Sequence, residues 1–184
     1  MMALVVLGIV AVLVLVAVAL YNGLVRSRVR VDEAWSGIAT QLKRRHDLIP
    51  NLVETVKGYA GHEKGVLEKV TELRTRAMSA GTPAQAAQAE GLLTQALRGL
   101  YAVAENYPDL KANQNFLSLQ ETLAGTESMI AGARQGYNAA VRDLNTRVES
   151  VPTNFIANAF GFTRREFFEL EDPAAERAVP QVRF

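Results

Sequence analysis

The first charged side chain in the sequence is Arg26. Before it, only Gly8, Asn22 and Gly23 are not hydrophobic. As a helix this stretch is roughly 38 Å long at about 1.5 Å per residue, enough to cross a hydrocarbon core of about 30 Å. All 20 Lys/Arg and all 19 Asp/Glu follow it. The pattern excludes a plain soluble protein and a multi-pass membrane protein. From Arg26 to Phe184 the composition is ordinary, and the length suits a single domain.

The segment reads as a retained membrane anchor, with Tyr21 where an interfacial aromatic belongs. The competing reading is a cleaved signal peptide. Ala17-Val18-Ala19 has the small-x-small pattern, but no basic residue precedes the apolar run. Arg26, Arg28 and Arg30 follow the span at once, so the positive-inside rule places the C-terminal domain in the cytoplasm, with an extracytoplasmic domain as the alternative.

Charge and composition exclude several functions. A formal net charge of +1 is not that of a nucleic-acid binder. With no Cys there are no thiolate zinc sites or cysteine nucleophiles. His46 and His62 are the two histidines, and no paired carboxylates complete a metal site around them.

From Leu24 onward apolar residues recur at helical spacing. One ladder of sevens runs Leu24, Val31, Ile38, Arg45, Leu52, Tyr59, Val66 and Leu73. A second runs Trp35, Leu42, Ile49, Val56, Glu63, Val70 and Ala77. Together they form the seam of a coiled-coil-like helix, each broken once by a charge. A third ladder, Phe116, Leu123, Ile130, Tyr137, Leu144 and Val151, has Leu119, Thr126, Ala133 and Ala140 as its companion seam. The expected fold is all-α: a transmembrane helix continuing into an antiparallel bundle of long helices.

Pro50 leaves two arrangements open. Proline inside a helix loses a hydrogen bond and clashes with the carbonyl four residues back. With Asp47 as N-cap, Pro50 falls in the first turn of a new helix. Unbroken heptad register favours a single kinked rod. Length matching favours a break there and four helices of about 23, 30, 25 and 40 residues, which is the preferred arrangement. Thr82-Pro83 predicts a helix start, and Tyr107-Pro108-Asp109 an end.

These signals divide the chain into an anchor over 1–25, a bundle over 26–152, a Phe-rich short helical segment over 153–170 and an extended tail over 171–184. Phe155, Phe160, Phe162, Phe167 and Phe168 crowd the third part.

No catalytic motif emerges. His62-Glu63 begins an H-E-x-x-H pattern, but position 66 is Val66. Gly58, Gly61 and Gly65 lack the Gly-Lys of a phosphate loop and read as allowing close helix packing or as a weak point in a helix. The basic run Lys43, Arg44 and Arg45 is a solvated face or a partner contact. It lies about 26 Å beyond Arg26 on a straight helix, too far to reach headgroups. Phe155, Phe160 and Phe162, with Arg164 and Arg165, either cap the bundle or contact a membrane or partner.

Residues 41–60, Gln-Leu-Lys-Arg-Arg-His-Asp-Leu-Ile-Pro-Asn-Leu-Val-Glu-Thr-Val-Lys-Gly-Tyr-Ala, resemble the bacterial LemA family. So do Val31-Asp32-Glu33-Ala34-Trp35-Ser36, Glu105-Asn106-Tyr107-Pro108, Asn115-Phe116, Tyr137-Asn138 and the close Pro180-Gln181-Val182-Arg183-Phe184. The resemblance implies a single-span bacterial membrane protein with a helical-bundle domain. It carries over no catalytic residue and no cofactor.

The expected function is therefore a non-catalytic scaffold or adaptor at the bacterial inner membrane. It is held to lipid by residues 1–25 and acts through a protein partner or self-association. The alternative is a sensor or accessory subunit that transmits a signal by helix repacking, motivated by the Arg45 and Glu63 breaks. In that reading Arg45→Leu with Glu63→Leu locks the bundle.

Overall fold

The computed structural model describes residues 1–169. It is all-α over these residues, with helices α1 (Met2–Lys57), α2 (Lys64–Met78), α3 (Pro83–Ala104), α4 (Pro108–Lys111), α5 (Gln114–Glu149) and α6 (Thr153–Ala159). The tail expected over 171–184 lies outside the described residues.

The apolar start and the first bundle helix are one element, since α1 runs unbroken past Arg26 to Lys57. It is the one helix among the described residues long and apolar enough to cross a membrane. The preferred break at Pro50 does not occur, because Pro50 lies inside α1. Proline has no N–H to offer the carbonyl of His46, four residues back. That oxygen instead accepts a 2.6 Å hydrogen bond from Nε of Arg74 on α2. The alternative single rod is correct. The rod ends at Lys57, where the glycine-marked turn from Gly58 to Gly61 begins, and a Cβ on Gly61 would stand 3.2 Å from the Lys57 carbonyl.

The chain divides into two compact units. One comprises Met1–Ile38 and Ala133–Glu166. Within it the first part of α1 and the last part of α5 run antiparallel. Trp35 packs on Tyr137 with ring centroids 5.5 Å apart, and Ser27 bonds Asp143 at 2.9 Å. A Cβ built on Gly23 would meet the Arg147 side chain. Leu24, Val31, Ile38, Tyr137 and Leu144 are buried as their ladders require. Val151 ends its ladder 73% exposed, because α5 has stopped at Glu149.

The other unit comprises Ala39–Gly132 and the described residues from Phe167. Here the end of α1, α2, α3 and the start of α5 enclose one core that includes Ile49, Leu52, Val56, Val70, Leu93, Leu97, Leu100, Phe116 and Leu123. Each such side chain contributes about 1.5–3 kcal/mol by leaving water. Thr82 caps α3 as its sequence predicts, its Oγ1 accepting from the Gln85 N–H. Asn113 does the same for α5, its Oδ1 accepting from the Phe116 N–H at 3.0 Å. Tyr59 leaves its ladder and is exposed, because α1 has already ended at Lys57.

Candidate functional site

In the first unit, α6 and the turn after it bring Phe160 and Phe162 onto Tyr21. The Tyr21–Phe160 centroids are 4.9 Å apart and the Tyr21–Phe162 centroids 5.8 Å. The turn follows from Gly161, whose φ of 70° is the left-handed value that closes a helix C-terminus. The Phe162 N–H donates to the Ala157 carbonyl at 2.9 Å, and the Gly161 N–H to that of Asn158 at 3.4 Å. These are the two bonds of a Schellman motif. They turn Phe162 inward, where it is 7% exposed, and leave Phe160 outward at 63%. Phe155 is 67% exposed on α6.

The basic residues around these rings fall into two groups. Arg164 pairs with Glu149 at 3.0 Å and Arg165 with Asp32 at 3.2 Å. Asn145 holds the Arg165 backbone from both sides, donating to its carbonyl and accepting from its N–H. The Tyr137 hydroxyl donates to the Glu166 carbonyl at 2.8 Å, and burial pushes its pKa up. Arg28 instead lies over the Phe162 ring, 5.1 Å from its centroid. Arg26 is exposed and donates to the Asn22 carbonyl. Neither Arg26 nor Arg28 forms an ion pair with a described carboxylate. Among the described residues, then, Arg26 and Arg28 stand beside the aromatic cluster without a carboxylate partner, whereas the Arg164 and Arg165 singled out by sequence are paired.

Below them, Asp143 accepts from Ser27 and Arg147. Burial opposes its ionisation, but the Ser27 hydroxyl and the Arg147 guanidinium outweigh it and hold the carboxyl below its ordinary value.

In the second unit, the basic run separates along the helix period. Lys43 and Arg44 are exposed. Lys43 pairs with Asp47 at 2.6 Å and lowers its pKa. Arg45 is not a surface cation: it is 3% exposed, which removes it from the set of partner or membrane contacts. Its position in the ladder points it into the core, and the core supplies partners. Nη1 donates to Glu90 at 3.1 Å, and Nη2 to Thr94 at 2.8 Å and Glu127 at 3.1 Å. Nε2 of His46 lies 2.5 Å from the other Glu90 oxygen.

A cleft of about 180 Å³ opens beside this cluster, lined by Arg45, Arg98, Tyr101, Gln120 and Glu127 among others. Burial there, reinforced by the Glu127 charge, pushes the Tyr101 pKa up to about 12. Among the described residues no group of three or more His, Cys, Asp or Glu could hold a metal ion.

Sequence reasoning missed Glu90 and Glu127 as partners of Arg45. Glu90 did carry a signal, standing on the stripe of Leu93, Leu97 and Leu100 as an acid among apolar residues. Opposite charges on two buried stripes are a pairing signal. Glu63, the other break, accepts from the Tyr107 hydroxyl at 3.4 Å.

Comparison with known proteins agrees with this architecture. The LemA family model matches residues 34–184. Magnetosome protein MamQ 2 of Paramagnetospirillum magneticum is 27% identical over 98% of this chain and 77% of its own. Magnetosome protein MamQ of Magnetospirillum gryphiswaldense is 25% identical over 88% and 70%. Protein LemA of Metamycoplasma hominis is 24% identical over 82% and 69%. With its long apolar first helix and its all-α fold, this chain belongs to the LemA family.

Proposed function

We propose that this protein is a non-catalytic, membrane-anchored scaffold or adaptor that acts through protein–protein association, including association with its own copies, at the bacterial inner membrane. The observation that carries the reading is α1. An uncharged stretch with exposed side chains from Met1 to Val16 continues without interruption into a helix whose later residues build the core. Exposed Val, Leu and Ile at that density need a lipid environment. The three arginines after the span orient the rest of the chain to the cytoplasm. Lys43 and Arg44, both exposed on α1, are the proposed partner contacts.

A photo-crosslinking residue placed at Lys43 or Arg44 of the full chain in native membranes tests this. The reading expects one discrete adduct, with a second copy or another protein, that disappears when the neighbouring basic residue is changed to Glu. An array of weak adducts unaffected by that change contradicts it.

The sensor reading is favoured by one observation, the buried ionic layer of Arg45, Glu90 and His46. Buried ion pairs give up stability relative to apolar packing and are best attested as devices that specify a packing. A passive scaffold tolerates replacement of the layer by apolar residues; a sensor loses its response.

A further inference from the structure

We infer that α6 and the turn that follows it form a second membrane contact, lying in the headgroup region of an anionic bilayer beside the point where α1 leaves it. The inference rests on α1 being a membrane span and goes beyond it by assigning the occupant of the exposed apolar face of α6.

Three observations carry it. First, depth is fixed by contact. Tyr21 stands near the end of the uncharged stretch, where a spanning helix meets the interface, and the Phe160 ring sits 4.9 Å from it. Phe160 therefore shares the depth of Tyr21. Second, the face is apolar and uncovered. Val151, Phe155 and Phe160 are among the most exposed large hydrophobic residues outside the span, and all three belong to this short stretch. Aromatic and aliphatic side chains held in the interfacial plane gain by entering the boundary between headgroups and acyl chains. Third, the charge is complementary. Arg26 and Arg28 stand within two turns of Tyr21 and form no ion pair with a described carboxylate. Arg164 and Arg165 are held by Glu149 and Asp32, so they stiffen the turn and are not the cations left for phosphate. Anionic headgroups within a Debye length attract arginines so placed.

The geometry accounts for the division of the Phe-rich segment. Phe162 faces inward and supports the platform under the Arg28 guanidinium. Phe155 and Phe160 face outward and insert.

The test uses the full chain, whose lack of cysteine permits single spin labels. Labels are placed at Leu13→Cys and, separately, Phe155→Cys. Each protein is reconstituted in nanodiscs of phosphatidylcholine containing phosphatidylglycerol. Depth is read from the relative accessibility to oxygen and to a water-soluble nickel reagent. Phe155 is exposed, so its replacement leaves the core intact, and unchanged helical circular dichroism verifies this. The inference expects the Leu13 label deep, the Phe155 label at headgroup depth, and a shift of the Phe155 label towards water in the Arg26→Gln/Arg28→Gln variant. A Phe155 label in water beside a deep Leu13 label overturns this inference and leaves the anchor standing. A Phe155 depth indifferent to the two arginines overturns the assignment to anionic lipid. A Leu13 label in water overturns both the anchor and this contact. Trp fluorescence from Phe160→Trp in a Trp35→Phe background is the second measurement. Emission shifted to the blue in the same discs supports the inference, and solvent-like emission overturns it.

Discussion

The Nε–H of Arg74 donates to the main-chain oxygen of His46 over 2.6 Å, and that oxygen is the one Pro50 leaves without a helical donor. The bond lets a 56-residue helix pass through a proline. It also fixes α2 against α1 at the level where His46 and Arg45 turn inward.

Removing the donor while keeping the proline strands a partly buried acceptor, at about 1–3 kcal/mol. Arg74→Ala is expected to lower thermal stability by that amount. In a Pro50→Ala background the residue at 50 supplies an N–H, and the cost of Arg74→Ala should fall by more than half. A double-mutant cycle on the two positions, followed by circular dichroism in one detergent, reads the coupling. Strictly additive effects would show that Arg74 acts elsewhere.

The buried layer predicts a different pattern. Arg45→Leu alone leaves the Glu90 carboxylate buried without its guanidinium, and Glu90→Leu leaves Arg45 without its carboxylate. Each is expected to cost about 3–5 kcal/mol, whereas Arg45→Leu with Glu90→Leu should be close to neutral or stabilising. This reverses the sequence-based expectation that Arg45→Leu with Glu63→Leu locks the bundle, because the partner that must change with Arg45 is Glu90. Thermal unfolding of these three variants, beside Arg45→Leu with Glu63→Leu, decides between the two.

Asp143 makes stability depend on pH. Burial pushes its folded-state pKa up, but Ser27 and Arg147 favour the carboxylate more strongly and bring it below the unfolded value. A depressed acid contributes stability that is fully present above its unfolded pKa of about 3.9 and is lost as pH falls through the folded one. Asp143→Asn should therefore lower the melting temperature at neutral pH. It should converge with the parent as pH falls through the depressed folded-state pKa, once both side chains are uncharged. The partly exposed side chain keeps the effect modest.

Gly161 is the hinge of the aromatic platform. An L-residue at its φ of 70° costs about 1–2 kcal/mol, less for Asn. Gly161→Ala should lower stability by that amount, with Gly161→Asn falling between it and the parent. Equal stability of all three proteins would show that the Schellman turn is not maintained in solution.

The ladders made much of the fold legible. Leu24, Val31, Ile38, Leu52, Phe116, Leu123 and Tyr137 are buried where their spacing of seven puts them. Local chemistry was equally readable at Thr82-Pro83, where the cap and the first-turn proline lie side by side in sequence. Pro50 was not, because its penalty is local while its remedy comes from Arg74, far along the chain and on another helix. Arg45 read both as a charged break in the first ladder and as part of a basic run with Lys43 and Arg44, and the helix period decides for the ladder. Its carboxylate partners lie 45 and 82 residues away. Arg164 and Arg165 were visible as cations, but their neutralisation by Glu149 and Asp32 required the path of the chain after α6.

We propose that residues 1–25 remain in the protein as a membrane span continuous with the bundle. Single cysteines introduced one at a time from Val5 to Arg30, probed in intact native membranes with a membrane-impermeant thiol reagent, test it most directly. Protection is expected from Val5 to about Leu20 and labelling once the membrane is opened from Arg26 onward, with every variant retained in the membrane. Labelling throughout, or a mature chain that lacks the residues up to Ala19, would contradict it.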